Sequence, residues 1–303
     1  MCQSVLLNSG IRATRRLKVS GFLPQVMSCP SGFLEKFRDL QSFRLHTGNI
    51  NAYNELKLKR FASSAEELSA CLKIQLASTP AATDFRNNGT LLLCDNSHID
   101  KYERDDLKIT MKLFLSRWCE KELKEAVDAL KDQLATTSIE LLIVAFPELE
   151  IVDGESEEEE NKRWIKHVLP LWTSLEELIK SGEVVSLGVS DLSLNQLQTL
   201  CDEVDTRPTV DHLRIDGCCV VPPELQEYAK NHDVQLLTHN DPIPFPTREV
   251  FHSFCTLNEE TPLCSDLFEP TWTVRYTVWV RRRSVMASKG YIVAFVGTEH
   301  NKE

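Results

Sequence analysis

No apolar run among these 303 residues approaches the roughly 18–20 needed to cross a bilayer as a helix, so no membrane partner is expected. Positive charge is in deficit: 34 Lys and Arg stand against 45 Asp and Glu, for a net charge of −11. Nucleic-acid binding requires a basic face to neutralise phosphates, and this balance argues against it. The 10 cysteines show no C-x-x-C spacing, which fits neither a zinc site nor a small disulfide framework, so no metal is expected. No Gly-x-Gly-x-x-Gly follows any candidate strand, which removes the usual mark of the open dinucleotide fold. Acidic residues are missing altogether before Glu35, where Arg12, Arg15, Arg16 and Lys18 sit among Ser and apolar residues. Such a composition marks residues 1–35 either as a disordered basic extension or as a mitochondrial presequence. With no secretory signal in view, reduced thiols and a cytoplasmic location are expected, with mitochondrial import as the minor alternative.

From residue 36 to 303 the texture is globular, and 42% hydrophobic with 26% charged residues permits a substantial core. Phe33–Arg44 and Glu66–Leu76 have the apolar spacing of helices, the second opened by Ser63-Ser64-x-Glu66-Glu67. Short apolar runs then follow at Leu91–Cys94, Leu107–Phe114, Ile139–Phe146, Val184–Val189, Thr209–Ile215, Val234–His239 and Tyr276–Val280. Amphipathic stretches separate several of them, at Glu120–Leu134, Trp164–Lys180, Leu194–Val204 and Pro222–Asn231. Near-continuous apolar strands are what a parallel sheet covered on both faces requires. Repeated βα units leave two architectures open, a closed (β/α)8 barrel and an open doubly wound sheet.

Several segments resemble pieces of the aldo-keto reductases, in the family's order. Lys108-Ile-Thr-Met-Lys112-Leu-Phe is similar to the third strand, which ends in the family's catalytic Lys. The stretch from Leu171-Trp through Ser181-Gly182 to Leu187-Gly-Val-Ser-Asp191-Leu resembles a helix-to-strand passage of that family, and Pro223 to Pro242 resembles its sixth helix and seventh strand. A narrower resemblance rests on Leu45-His-Thr-Gly-Asn49, Cys218-Cys-Val-x-Pro-Pro-Glu-Leu225, Leu236-Leu-Thr-His-Asn-Asp-Pro242 and Ser288-Lys-Gly-Tyr-Ile292. Together these are similar to the regulatory (modifier) subunits of glutamate–cysteine ligase, which share the reductase fold. The resemblance implies an α/β fold, a (β/α)8 TIM barrel of aldo-keto reductase type, behind an irregular N-terminal extension.

The reductase chemistry needs Asp, Tyr, Lys and His groups within hydrogen-bond reach of one carbonyl oxygen. Ile139–Pro147 matches the strand that ends in His, an aromatic and Pro, yet Ala145 stands at the His position before Phe146 and Pro147. A methyl group donates no hydrogen bond. Lys112 keeps the Lys position, either as a remnant or as a lysine reaching solvent or a carboxylate, while Asp95 and Tyr102 have the wrong spacing for the remaining pair. Asp191, His212 and His239 replace the nicotinamide-contacting Asn, Gln and Tyr implied by the resemblance. No cofactor is therefore expected. The resemblance implies a non-catalytic regulatory subunit that binds the ligase catalytic subunit as a heterodimer in glutathione biosynthesis, improving glutamate affinity and relieving glutathione inhibition. The alternative is an NADPH-dependent aldo-keto reductase with rearranged catalytic residues.

Candidate partner-binding residues fall in two places. Cys218 and Cys219 follow the sixth strand and precede Pro222 and Pro223, which stiffen the loop, with buried inert thiols as the plainer reading. Arg281, Arg282 and Arg283 form the densest basic cluster in an acidic chain. Trp272 and Trp279 divide evenly between interface anchors and core, and the acidic run Glu155–Glu160 is expected to be an extended, mobile loop.

Overall fold

A computed structural model describes residues 40–78, 89–93, 98–214, 221–255 and 267–298. Nine strands form one sheet: β1 Ser42–His46, β2 Thr90–Leu92, β3 Leu107–Leu115, β4 Leu141–Ala145, β5 Leu187–Ser190, β6 Val210–Arg214, β7 Gln235–His239, β8 Phe268–Val280 and β9 Val285–Gly297. The helices are α1 Asn54–Lys57, α2 Ser64–Ser78, α3 Glu120–Leu134, α4 Glu157–Lys180, α5 Leu194–Glu203, α6 Pro223–Asn231 and α7 Thr247–Cys255. The strand order is β2-β1-β9-β8-β3-β4-β5-β6-β7.

From β3 to β7 every neighbour is parallel, joined by crossover helices as the alternating sequence pattern requires. The expected run of eight parallel strands stops there. β8 and β9 are joined by only Arg281–Ser284, and a connection that short permits only an antiparallel pair. This hairpin lies between β3 and β1, antiparallel to both. The class is α/β with a mostly parallel sheet, and the hairpin supplies its antiparallel part.

Two apolar clusters hold the sheet. The larger lies under the crossover helices, and α3 shows why: Leu123, Ala126, Val127, Leu130 and Leu134 recur at helical spacing and are all buried. The smaller joins β1, α2 and β9 around Phe43, whose ring stacks on Phe295 at 4.9 Å and meets Phe268 edge-on at 4.8 Å. Trp272 belongs to the larger core, whereas Trp279 is 37% exposed.

Two local expectations fail. Residues 42–44 were expected at the end of a helix, but Ser42–His46 pairs with β9 and β2, so long-range pairing overrides local spacing. The acidic run is the first turn of α4 from Glu157 on, not an extended loop. Ser156 caps it by accepting from the Glu159 N–H while the Glu159 carboxylate accepts from the Ser156 N–H. Carboxylates in a first turn are stabilised by the positive end of the helix dipole, which offsets their mutual repulsion.

Candidate functional site

The parallel strands β3 to β7 end on the same side of the sheet, and residues on one face of them form two layers. Toward the strand starts the layer is apolar, with Leu141, Ile143 and Val210 buried together. Gly188 makes this possible, because a Cβ there would sit 3.1 Å from both Ile143 and Val210. Toward the strand ends the layer is ionic. Lys112 Nζ donates to Asp241 Oδ2 at 2.7 Å, and Arg275 Nη1 on β8 donates to Asp241 Oδ1 at 2.5 Å. Asp241 is fully buried and Lys112 is 2% exposed.

The network continues through histidine. The Asp241 N–H donates to His239 Nδ1 at 2.9 Å, which leaves Nε2 to donate to Asp191 Oδ2 at 2.9 Å. Asp191 also accepts from Ser190 Oγ at 2.6 Å and from the Arg214 N–H at 2.6 Å. His212 Nε2 donates to the Thr238 carbonyl at 3.1 Å, and its ring meets His239 edge-on at 4.5 Å. Asp191 takes up a left-handed backbone, φ 63°, which Asp tolerates better than most residues.

Electrostatics follow from burial and pairing. Burial alone raises the Asp241 carboxyl, but Arg275 and Lys112 more than offset it and hold the group well below the usual carboxylate range. Asp191 is held low in the same way, against burial, by His239 and Ser190. Burial pushes Lys112 down despite its carboxylate partner, and brings His212 down to about 4. Asp211 is the exception: burial raises its carboxyl to about 7, only partly countered by the backbone N–H of Leu192. Lys112, Asp241, His239 and Asp191 thus satisfy one another, whereas His212 Nδ1 and both Asp211 carboxylate oxygens are buried without a hydrogen-bond partner among the described residues.

A cavity of about 720 Å³ opens above this layer, lined by Ala145, Phe146, Ser190, Asp191, His239 and Asp241 among others. Its walls are aromatic: Phe114 stacks on Phe245 at 4.2 Å, and Phe146 meets Trp164 edge-on at 6.1 Å. Among the described residues no Lys or Arg lines it, so none of these offers a cation to grip a dinucleotide phosphate.

The candidate residues separate. Lys112 takes the carboxylate-pairing alternative, and Ala145 lines the cavity at the end of β4. Pro222 lines a second cavity of about 480 Å³ beside the first, where Pro223 opens α6, while Cys218 and Cys219 lie outside the described residues, as do residues 1–35 and Asp95. Arg281, Arg282 and Arg283 sit at the opposite end of the sheet, in the β8–β9 turn beside the start of β3. There Arg281 Nε donates to the Leu107 carbonyl at 2.7 Å and Nη2 to Glu140 at 2.9 Å, a structural clamp that Arg104 completes at 2.8 Å from the same carboxylate. Arg282 lies 3.8 Å from Asp106. Sequence reasoning missed Asp241 and Arg275; the available signal was an Arg within the apolar run Trp272–Val280.

Two of the motifs also meet in space. The Thr47 N–H and Oγ1 both donate to the Tyr291 carbonyl, the Tyr291 N–H donates back to Thr47 Oγ1, and Asn49 Nδ2 donates to the Ala287 carbonyl. Gly290 lies so close that an added Cβ would overlap the Gly48 carbonyl oxygen and sit 2.5 Å from the Tyr276 hydroxyl. The Leu45–Asn49 and Ser288–Ile292 motifs are one structural join between β1 and β9.

Residues 92–241, which contain β3 to β7, match the model of the Aldo/keto reductase family. The chain is 31% identical over 262 residues to the human protein named glutamate–cysteine ligase regulatory subunit, covering 84% of this chain and 92% of that one. It belongs to this regulatory-subunit family. The rat protein of the same name is 32% identical over 83% of this chain and 92% of its own. A protein of Schizosaccharomyces pombe, named a putative glutamate–cysteine ligase regulatory subunit, is 25% identical over 84% of this chain and 96% of its own. Among solved structures, an aldo-keto reductase of the silkworm, Bombyx mori, covers 55% of this chain and 47% of its own at 20% identity, with a TM-score of 0.37. Within residues 92–241, the part that matches the Aldo/keto reductase model, this chain is α/β with the parallel strands β3 to β7.

Proposed function

We propose that this chain is a non-catalytic regulatory subunit, which binds the glutamate–cysteine ligase catalytic subunit as a heterodimer, improves its glutamate affinity and relieves glutathione feedback inhibition. The observation that carries the reading is the likeness to proteins of that name over 84% of the chain. Two features support it. Lys112 is tied to a fully buried Asp241, and Ala145 occupies the position where a reductase needs a proton donor, so neither position offers an acid to a carbonyl. Regulation by a bound partner needs only different affinities for the active and inhibited conformations, and a coupling of about 1–3 kcal/mol suffices.

The test is co-expression with the catalytic subunit, followed by measurement of γ-glutamylcysteine synthesis against glutamate and glutathione. Half-maximal synthesis is expected at lower glutamate, and inhibition at higher glutathione, than for the catalytic subunit alone. Unchanged curves with no complex on gel filtration would refute the proposal.

A further inference from the structure

We infer that the acidic, aromatic-walled cleft at the C-terminal end of β3–β7 is a docking site for a basic segment of the partner protein, with an Arg or Lys side chain entering it. This rests on the regulatory-subunit reading above, and adds where the partner sits and what chemistry it presents.

The deep carboxylates of the cleft are already matched, Asp241 by Lys112 and Arg275 and Asp191 by His239. Glu148 and Glu160 at its mouth are not: both are exposed, and neither forms an ion pair among the described residues. With no Lys or Arg among the described lining residues, the unbalanced charge at the opening is negative. That charge repels phosphates and carboxylates and attracts a cation. Its aromatic walls suit the aliphatic stem and the charged head of a long basic side chain, through packing and cation–π attraction. Rim residues Ile151, 95% exposed, and Ile243, 44% exposed, supply apolar surface on which the flanking residues of such a segment would be covered. A volume of about 720 Å³ admits a side chain and its immediate neighbours, not a folded domain.

The test measures the affinity of the full chain for the purified catalytic subunit at low and high salt. The double variant E148K/E160K is expected to weaken the complex about tenfold or more at low salt and to flatten its salt dependence. Ile151→Ser is expected to weaken it a few-fold. Glu160 lies in the first turn of α4, where Lys opposes the helix dipole, so an unchanged circular-dichroism spectrum and a cooperative thermal transition, rather than an identical midpoint, verify that E148K/E160K folds. Wild-type affinity in that folded variant would overturn the inference alone. Tighter binding would also overturn it. No complex with the wild-type chain would refute the functional reading itself and this inference with it.

Discussion

The two ends of the parallel strands both carry linked charges, but under opposite conditions of burial. At the strand ends Lys112, Asp241 and His239 are almost sealed from water, with side-chain exposures of 3%, 0% and 2%. At the strand starts the clamp of Arg104, Arg281 and Glu140 is wetter, with exposures of 33%, 48% and 13%. A dry ion network is costly to assemble and more costly to leave half-made, whereas a wet one is worth little either way. The difference teaches that the charges at the strand ends are locked into one another by burial, those at the strand starts are only loosely linked, and the dry network is the one that stands beside the large cavity.

Breaking that contrast at the dry end should have the largest effect. Asp241→Ala strands Lys112 and Arg275 without their carboxylate, and is expected to lower the unfolding free energy by about 3–5 kcal/mol in urea denaturation. A loss no greater than that of a surface variant would contradict the account.

The same region should dominate the response to pH. Burial raises Asp211 from the ordinary 3.8 to about 7, so its contribution to stability is complete at low pH and is lost as pH climbs from about 4 to 7. His212, lowered from 6.5 to about 4, works in the opposite sense: its contribution is complete above 6.5 and lost as pH falls toward 4. Asp211→Asn removes the first term only. Its stability relative to the unsubstituted chain should therefore rise between pH 4 and 7 and level off above, by up to about 1.4 kcal/mol per pH unit. A pH-independent difference between the two urea midpoints would show that Asp211 is ionised in the folded chain.

Gly290→Ala probes the join between β1 and β9, away from both networks. The added methyl meets the Gly48 carbonyl and the Tyr276 hydroxyl, and overpacking of this kind costs about 1–3 kcal/mol. The smallest effect belongs to the wet end. Arg281→Ala should cost about 1 kcal/mol or less, and high salt should shrink it further. An Arg281→Ala loss equal to that of Asp241→Ala would erase the distinction between the ends.

How much of this was legible in the sequence depends on the range of the interaction. The parallel strands and their helices announce themselves, since each is a local run with its own period, as in Leu107–Phe114 and Glu120–Leu134. Ala145 was identifiable because the flanking Phe146 and Pro147 fix its place. The partner of Lys112 was not, because Asp241 lies 129 positions further on and nothing in either neighbourhood names the other. The hairpin was missed for a different reason. Its turn, Arg281–Ser284, has neither Gly nor Asn, and Ser284 takes up the left-handed conformation itself at φ 49°. The acidic run misled because composition favoured repulsion, whereas the Ser156–Glu159 capping box decides the outcome within four residues.

On the regulatory reading proposed above, the ionic layer under the cavity holds the fold and carries out no hydride chemistry. Titration of the purified chain with NADPH, followed by nicotinamide fluorescence with and without an aldehyde, tests it most directly. No saturable change in emission and no aldehyde-dependent oxidation are expected. Saturable binding with turnover would contradict the account and return the chain to the reductases.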